Sequence, residues 1–301
     1  MNSNFKGFQL TGFQRPIKRV RYNIDCDILF GASVDKNILN WRGDTYDPLT
    51  SYNGHTGAVN DISIRHDTLQ FVSGSADGLV KIWDSETAKD LVTISCETNV
   101  ILSQISFSQD MIFVVRPVGN NKFKLFIYSY KEPNELLHEY QSEGYPLCGI
   151  WGLMDESVLI GLASGELFIY HLSKRSEDRI VKHTQKLNDI EMSKDFLQFI
   201  TCSDDFSVIV NIVLIKIWDS KTLTPIVSFA IGFSLKAVAL SPSKHYFVCS
   251  GGVESREVTT TKSNIMDILF YDIKAQSLLA LLEKPHSGCV NSLQVRPDGK
   301  G

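Results

Sequence analysis

A histidine, a serine and an aspartate lie close together in the sequence at His55, Ser73 and Asp77. These three residue types can form the nucleophile, base and acid of a hydrolase triad. A tryptophan, Trp83, follows Asp77 by six residues, and the same spacing separates Asp35 from Trp41. Since catalysis gives no reason for a tryptophan to recur at this spacing, the pattern favours a repeated structural element over a catalytic site.

Other catalytic and metal-binding patterns are missing from the sequence. It contains no Gly-rich phosphate loop, no His-Glu-x-x-His and no Gly-x-Ser-x-Gly. The seven histidines are scattered, and the six cysteines are too far apart for a zinc pair or a redox motif. We therefore expect no catalytic residue, no cofactor and no metal site.

The composition is that of an ordinary globular protein. The chain has 301 residues, 43% of them hydrophobic, and a formal net charge of -4. Its longest apolar stretch, residues 208–217, is about half of the ~20 residues that a membrane span needs. The N-terminus also lacks a secretory signal. These features predict a cytoplasmic protein with no membrane attachment.

One dense basic cluster, formed by Arg15, Lys18, Arg19 and Arg21, has two interpretations. It could contact RNA through phosphates, and binding would then weaken steeply with salt. Only Tyr22 is nearby for base stacking, and the whole chain is acidic. We therefore favour a solvated rim of the fold and expect no direct sequence-specific nucleic acid binding.

The sequence repeats with a period of about 42 residues. A segment that opens with Gly-His at 54–55 closes with Ile-Trp-Asp at 82–84, and a second runs from Lys182-His183 to Ile-Trp-Asp at 217–219. Each unit holds short β-rich apolar runs separated by turn residues. Seven units start near positions 12, 54, 97, 144, 182, 231 and 285. A repeat of this length predicts a single all-β domain over residues 1–301, built as a propeller or solenoid.

The fifth unit carries extra residues. Asp205 precedes Trp218 by thirteen positions, whereas the equivalent spacing in the first two units is six. The surplus lies within residues 207–215, which are apolar and β-branched. The insertion either lengthens a hairpin or is not part of the natural protein, as an unspliced intron would produce.

These repeats resemble the WD-repeat β-propeller family, whose blades are four-stranded sheets with Gly-His near the start and Trp-Asp near the end. The resemblance implies a seven-bladed propeller. The seventh unit stops after one strand and a turn, at residues 297–301, so we expect that blade to be incomplete. The resemblance also implies a buried network in which Trp83 donates to Ser73, Ser73 reaches His55 and His55 reaches Asp77. The positions expected to serve the same structural role in other units are Asp35, Trp41, His183, Asp205 and Trp218.

Longer strings narrow the resemblance. The stretches FQLTGFQRPI at 8–17, DILFGASVDKNILNW at 27–41 and SGGVESREVTTTKS at 250–263 resemble the i subunit family of eukaryotic translation initiation factor 3. That resemblance implies a non-enzymatic docking platform that binds the b and g subunits and supports recruitment of the small ribosomal subunit and mRNA. Two alternatives are a signalling adaptor, similar to the protein that associates with serine-threonine kinase receptors, and an enzyme built on a propeller. The enzyme would need polar residues converging on the central channel, and we find no such set in the sequence.

Two segments are candidate partner-binding sites. Asp204 and Asp205 could accept an arginine from a partner, although Asp205 is also the turn aspartate of the repeat. The second segment matches a long Gly-rich and Thr-rich loop of the family's sixth blade, where three threonines could instead satisfy backbone groups. Its candidate residues are Gly251, Gly252, Thr259, Thr260 and Thr261.

Overall fold

Six antiparallel sheets of four strands each make up the part of the chain that the structure describes. The structure is a computed structural model, and it describes residues 7–204, 213–231, 234–251, 267–283, 285–286 and 288–299. In every sheet each strand pairs with the strand that follows it in the chain. This meander is the blade of a β-propeller.

The strands follow one another along the chain without interruption by helices longer than one turn in the described residues. Blade 1 contains β1 (Ile17–Tyr22), β2 (Ile28–Ser33), β3 (Ile38–Arg42) and β4 (Pro48–Tyr52), and blade 2 contains β5 (Val59–Ile64), β6 (Gln70–Ser75), β7 (Leu79–Asp84) and β8 (Asp90–Ser95). Blade 3 contains β9 (Leu102–Ile105), β10 (Met111–Pro117), β11 (Lys122–Ser129) and β12 (Leu136–Glu143), and blade 4 contains β13 (Pro146–Trp151), β14 (Ser157–Leu162), β15 (Glu166–His171) and β16 (Ser176–Val181). Blade 5 contains β17 (Leu187–Met192), β18 (Gln198–Ser203), β19 (Val213–Asp219) and β20 (Thr224–Ile231), and blade 6 contains β21 (Leu235–Leu240), β22 (Tyr246–Gly251), β23 (Ile268–Asp272) and β24 (Ser277–Leu282).

The first strands of successive blades contact one another and surround a central channel. The second and third strands are buried on both faces because neighbouring blades pack against them, as the almost fully buried β6 and β14 illustrate. Fourth strands such as β8 and β24 are largely exposed. This order of burial explains why the middle strands are apolar runs, while the outer strands carry alternating polar residues.

Stacked aromatic pairs fill the blades. Trp218 lies 5.5 Å from Phe199 with ring planes 6° apart, and Tyr271 lies 5.5 Å from Phe247 with planes 7° apart. Both pairs join directly opposite residues of the second and third strands. Such cross-strand pairs stabilise a sheet and fix its register. A tyrosine can therefore replace the tryptophan without loss of the fold.

The prediction of seven blades with an incomplete seventh is wrong in the number of blades. The described residues form six blades, and those after β24 pair with no strand. A sheet needs at least two hydrogen-bonded strands, so an unpaired segment is not a blade. Side-chain bonds instead join this segment to blade 1, since Asn291 Nδ2 donates to the Ile17 carbonyl at 2.9 Å.

The six blades begin at residues 17, 59, 102, 146, 187 and 235, shortly after the first six predicted unit starts. The connection from β18 to β19 is much longer than the equivalent connection from β6 to β7. Residues 205–212 lie outside the described residues, and residues 213–215 begin β19.

No helix in the described ranges is long and apolar enough to cross a bilayer.

Candidate functional site

The blade 2 network joins all four residue types in one chain of hydrogen bonds. Trp83 Nε1 donates to Ser73 Oγ at 2.8 Å, and Ser73 Oγ lies 2.8 Å from His55 Nε2. His55 Nδ1 lies 3.0 Å from Asp77 Oδ2. Asp77 also accepts from the Thr56 amide at 2.8 Å, which fixes the loop before β5 onto the turn between β6 and β7. The four side chains thus connect three parts of the blade.

The directions of these bonds determine the protonation state of His55. The Trp83 indole can only donate a hydrogen bond, so Ser73 Oγ accepts from it. The Ser73 hydroxyl in turn donates a hydrogen bond to His55 Nε2. His55 Nδ1 then carries the ring proton and donates to Asp77. Burial lowers the pKa of His55, although the nearby Asp77 charge opposes this effect. The neutral imidazole is therefore the form that fits the network.

The same contacts argue against a hydrolase triad. Ser73 has no solvent exposure, so its hydroxyl cannot meet a substrate. That hydroxyl already accepts from Trp83, and the aspartate is held by backbone donors in a turn. A nucleophile needs an open approach and a neighbouring oxyanion site. The arrangement is that of a structural network, in which every buried polar atom has a partner.

Blade 5 contains a close counterpart of this network. Trp218 Nε1 donates to Thr201 Oγ1 at 2.9 Å, and His183 Nε2 lies 2.9 Å from the same oxygen. Thr201 therefore occupies the position of Ser73, which the sequence interpretation did not identify. Asp205, the expected fourth member, lies outside the described residues.

Blade 1 retains the tryptophan and the aspartate of the network, but each of them bonds to a different partner. Trp41 Nε1 donates to the Thr11 carbonyl at 3.3 Å. Asp35 instead accepts from the amides of Gln14 and Arg15 at 2.7 and 2.9 Å. Since Phe13 replaces the histidine, its ring packs against Trp41 at 5.8 Å with planes 72° apart. Trp41 and Asp35 thus hold the same loop without forming one continuous network.

The candidate partner-binding residues are only partly described. Asp204 accepts from Asn188 Nδ2 at 2.8 Å and from Ser234 Oγ at 2.5 Å, and Lys236 Nζ lies 3.9 Å from its other oxygen. This carboxylate therefore connects blade 5 to blade 6. Gly251 ends β22, and a Cβ atom there would lie 2.0 Å from the Ser234 carbonyl oxygen, so only glycine fits. The other candidates, Gly252, Thr259, Thr260 and Thr261, lie outside the described residues.

The central channel contains a buried ion cluster that the sequence interpretation missed. Arg19 Nε donates to Asp61 Oδ1 at 2.9 Å, and Arg19 Nη1 donates to Asp189 Oδ1 at 3.3 Å. These residues belong to the first strands of blades 1, 2 and 5, so the arginine bridges the ring. Two carboxylates hold the pKa of Arg19 above its usual range, although burial alone would lower it.

The assignment of the basic cluster to a solvated rim is therefore wrong for Arg19. Arg15 and Lys18 are exposed, whereas Arg19 is 7% exposed and Arg21 is partly buried. The two channel residues alternate with outward positions along β1, because side chains alternate between the faces of a strand. A run of basic residues in a strand thus divides into a surface set and a channel set.

Beside the ion cluster lies a cavity of about 240 Å³. Its polar lining comes from the first strands and from the segment after β24, and consists of Arg21, Tyr22, Ser63, Gln104, Glu191 and Gln294. Glu191 Oε2 accepts from the Leu240 amide at 2.7 Å. Burial raises the pKa of Glu191 to about 8, and the Arg21 charge limits the rise. Polar residues therefore do converge on the channel, contrary to the sequence interpretation.

A recurring bond pattern joins one first strand to the next. The side-chain amide of Asn60 donates to the Val100 carbonyl at 2.7 Å, and the side-chain amide of Asn188 donates to the Leu235 carbonyl at 2.7 Å. Asn291 makes the same bond to blade 1 at 2.9 Å. The signal is visible in the sequence as VNDISI at 59–64, LNDIEM at 187–192 and VNSLQV at 290–295. Residues 290–295 therefore bond to blade 1 as a first strand does, although they form no strand.

Fold and networks together define the class of protein, a WD-repeat β-propeller. The family model for the WD domain, G-beta repeat, matches residues 46–84. The crystal structure of the Myceliophteria thermophila Cps50 (Swd1) β-propeller domain has a TM-score of 0.75 to this fold at 16% identity, covering 93% of this chain and 90% of that one. At this identity the likeness concerns the fold alone.

Curated relatives identify the family within that class. Eukaryotic translation initiation factor 3 subunit I of Nematostella vectensis is 30% identical over 304 residues, covering 98% of this chain and 91% of the relative. The protein of that name from Homo sapiens is 30% identical over 308 residues, with the same coverage of 98% and 91%. The chain belongs to the family of eukaryotic translation initiation factor 3 subunit I.

Proposed function

We propose that this chain is a non-enzymatic scaffold subunit of translation initiation factor 3 in the cytoplasm. In this role it docks the b and g subunits and so supports recruitment of the small ribosomal subunit and mRNA. The observation that carries the proposal is the 30% identity to subunit I proteins across 98% of the chain. Similarity along the whole ring supports a shared role for the whole molecule, since a match to one blade would support only the fold.

The chemistry of the described residues supports a non-catalytic role. The two histidines of the blade networks, His55 and His183, are 6% and 1% exposed. Their ring nitrogens face the buried hydroxyls of Ser73 and Thr201. Binding through the outer surface of a rigid ring needs none of these groups to react. A scaffold therefore agrees with the contacts better than an enzyme does.

Two long connections begin side by side and suggest where a partner docks. Asp204 follows β18 in blade 5, and Gly251 ends β22 in blade 6. Both contact Ser234, through its hydroxyl and its carbonyl respectively. The connections that follow carry Asp205 and the Thr259–Thr261 run. We include these residues in the proposed docking surface, whose described anchor points are Asp204, Ser234 and Gly251.

Co-purification tests the proposal directly. The tagged chain is expressed in eukaryotic cells, and initiation factor subunits are identified in the eluate by mass spectrometry. We expect the b and g subunits to be recovered with the wild type. Combined Thr259→Ala, Thr260→Ala, Thr261→Ala and Asp205→Asn substitutions are expected to reduce that recovery. Recovery of kinase receptors instead of initiation factor subunits would support the signalling adaptor.

A matched control tests whether a loss of recovery is specific to the proposed docking surface. Asp25 is exposed and lies between β1 and β2, at the other end of the blades from the proposed docking surface. Asp25→Asn removes one surface charge there, so it should leave recovery of the subunits unchanged. Equal recovery with the wild type, the control and the combined variant would refute the proposed location while leaving the scaffold role intact.

A further inference from the structure

Among the described residues, a second arginine of the central channel, Arg21, is bonded to no carboxylate. Arg21 donates through Nη1 to the Val20 carbonyl at 2.9 Å, and its guanidinium forms no ion pair within the described ranges. The two nearby aspartates, Asp61 and Asp189, are both engaged by Arg19. A partly buried guanidinium with free N–H donors facing a cavity leaves hydrogen-bonding capacity unused. Such a group favours an anionic ligand.

We propose that the channel cavity binds one small carboxylate anion, held by the Arg21 guanidinium and the Gln294 side-chain amide. The cavity of about 240 Å³ exceeds the roughly 30 Å³ that a single water occupies in the liquid, so a small organic acid fits. Gln294 Oε1 accepts from the Tyr22 amide at 2.5 Å. This bond directs the amide oxygen towards β1 and leaves the NH₂ group as the donor for a ligand.

The shape and charge of the lining favour a carboxylate over a phosphate. The planar fork of a guanidinium matches the two oxygens of a carboxylate. Asp61 and Asp189 lie in the same channel, and their negative charges oppose a dianion more strongly than a monoanion. A cation is disfavoured because the Arg21 guanidinium lines the cavity, whereas the carboxylates of Asp61 and Asp189 are bonded to Arg19 and do not line it.

Glu191 makes the binding depend on pH. The charged groups that act on it are Arg21 and Arg19 of β1 and Asp189 of its own strand, and β21 contributes the Leu240 amide. With its pKa at about 8, Glu191 is mainly protonated at neutral pH and can face an anion without repulsion. Ionisation above that pH places a negative charge beside the ligand. Affinity for the carboxylate should therefore fall as the pH rises above 8.

Acetate is the probe for this site. Binding of ¹³C-labelled acetate to the whole chain is followed by NMR line broadening, with sulfate as a competitor. We expect saturable binding at pH 7 that weakens about tenfold in Arg21→Gln, since a charged bidentate contact is lost. Arg15→Gln removes a nearby exposed arginine and should bind acetate like the wild type. Unchanged acetate binding in Arg21→Gln would overturn the proposal, as would stronger binding of sulfate than of acetate.

Two further variants keep the test decisive. If Arg21→Gln does not fold, Arg21→Lys retains the charge but loses the fork, so weaker acetate binding in that variant supports the bidentate site and unchanged binding refutes it. Glu191→Gln keeps an acceptor for the Leu240 amide but cannot ionise. Its acetate affinity should stay constant between pH 7 and 9, while the wild-type affinity falls. A wild-type affinity that does not change with pH contradicts the assigned role of Glu191.

Discussion

At the level of single residues, removing one buried polar group destabilises the fold because its hydrogen-bond partners stay buried and unsatisfied. Ser73 Oγ serves both Trp83 Nε1 and His55 Nε2. The Ser73→Ala substitution leaves both groups buried without a partner, and each unsatisfied group costs about 1–3 kcal/mol. We expect a loss of about 2–4 kcal/mol in the free energy of unfolding, measured by urea denaturation. Ser95→Ala, at an exposed position of β8, should change it by less than about 0.5 kcal/mol.

The same network makes stability depend on pH in a defined direction. Burial lowers the pKa of His55 below its ordinary value of 6.5, so the unfolded chain takes up a proton at a higher pH than the folded one. The contribution of neutral His55 is complete above pH 6.5 and is lost as the pH falls towards the folded-state pKa. The difference in unfolding free energy between the wild type and His55→Gln should therefore shrink from pH 8 to pH 5. A difference that grows over this range would contradict the neutral imidazole.

At the level of elements, the segment at residues 290–295 joins the ring by the same kind of bonds that the first strands of the blades use. The amides of Val20 and Tyr22 donate to Ser292 Oγ and Gln294 Oε1, just as the Ser103 amide donates to Asp61 in the neighbouring pair of blades. Backbone amides of a first strand thus donate hydrogen bonds to side chains of the neighbouring element around the channel. These contacts link successive blades even where no sheet is shared.

Hydrogen exchange can test this role of the segment. Combined Ser292→Ala and Gln294→Ala substitutions remove both acceptors, and we expect the Val20 and Tyr22 amides to exchange about tenfold faster. The Ser103 amide makes the same kind of bond elsewhere in the ring and should keep its rate. Faster exchange at Ser103 as well would indicate general destabilisation instead of local release of the segment.

The sequence predicts the blades better than the channel, for a physical reason. The Asp77 to Trp83 spacing and the alternating apolar runs are local, so they predict the turn and the strands of a blade from one stretch of chain. The Arg19–Asp61–Asp189 cluster joins residues that are distant in sequence, and only ring closure brings them together. The local pattern RPIKRVR at 15–21 gives no sign that its two channel residues differ from the others. The blade count failed because a unit start near 285 does not reveal whether a strand finds a partner.

At the level of the whole molecule, Arg19 links three blades across the channel. Its pairs with Asp61 and Asp189 connect blade 1 to blades 2 and 5, which do not adjoin each other. Because Asp61 and Asp189 also accept the amides of Ser103 and Val238, the cluster reaches blades 3 and 6. A single guanidinium thus contributes to the geometry of most of the ring.

Replacing this arginine should weaken the whole ring. Arg19→Ala leaves two buried carboxylates without a counter-ion, and breaking a buried pair in this way costs about 3–5 kcal/mol. We expect a loss of that size in the urea unfolding free energy at pH 8. The loss should be smaller at pH 5, because burial raises the pKa of Asp189 and removal of Arg19 raises it further, so protonation of Asp189 then relieves the repulsion between the two carboxylates. The control is Arg15→Ala, which removes an exposed charge four residues before Arg19. It should change the free energy of unfolding by less than about 0.5 kcal/mol. A loss in Arg19→Ala that is below about 1 kcal/mol, or that is larger at pH 5 than at pH 8, would show that the ring does not depend on this ion cluster.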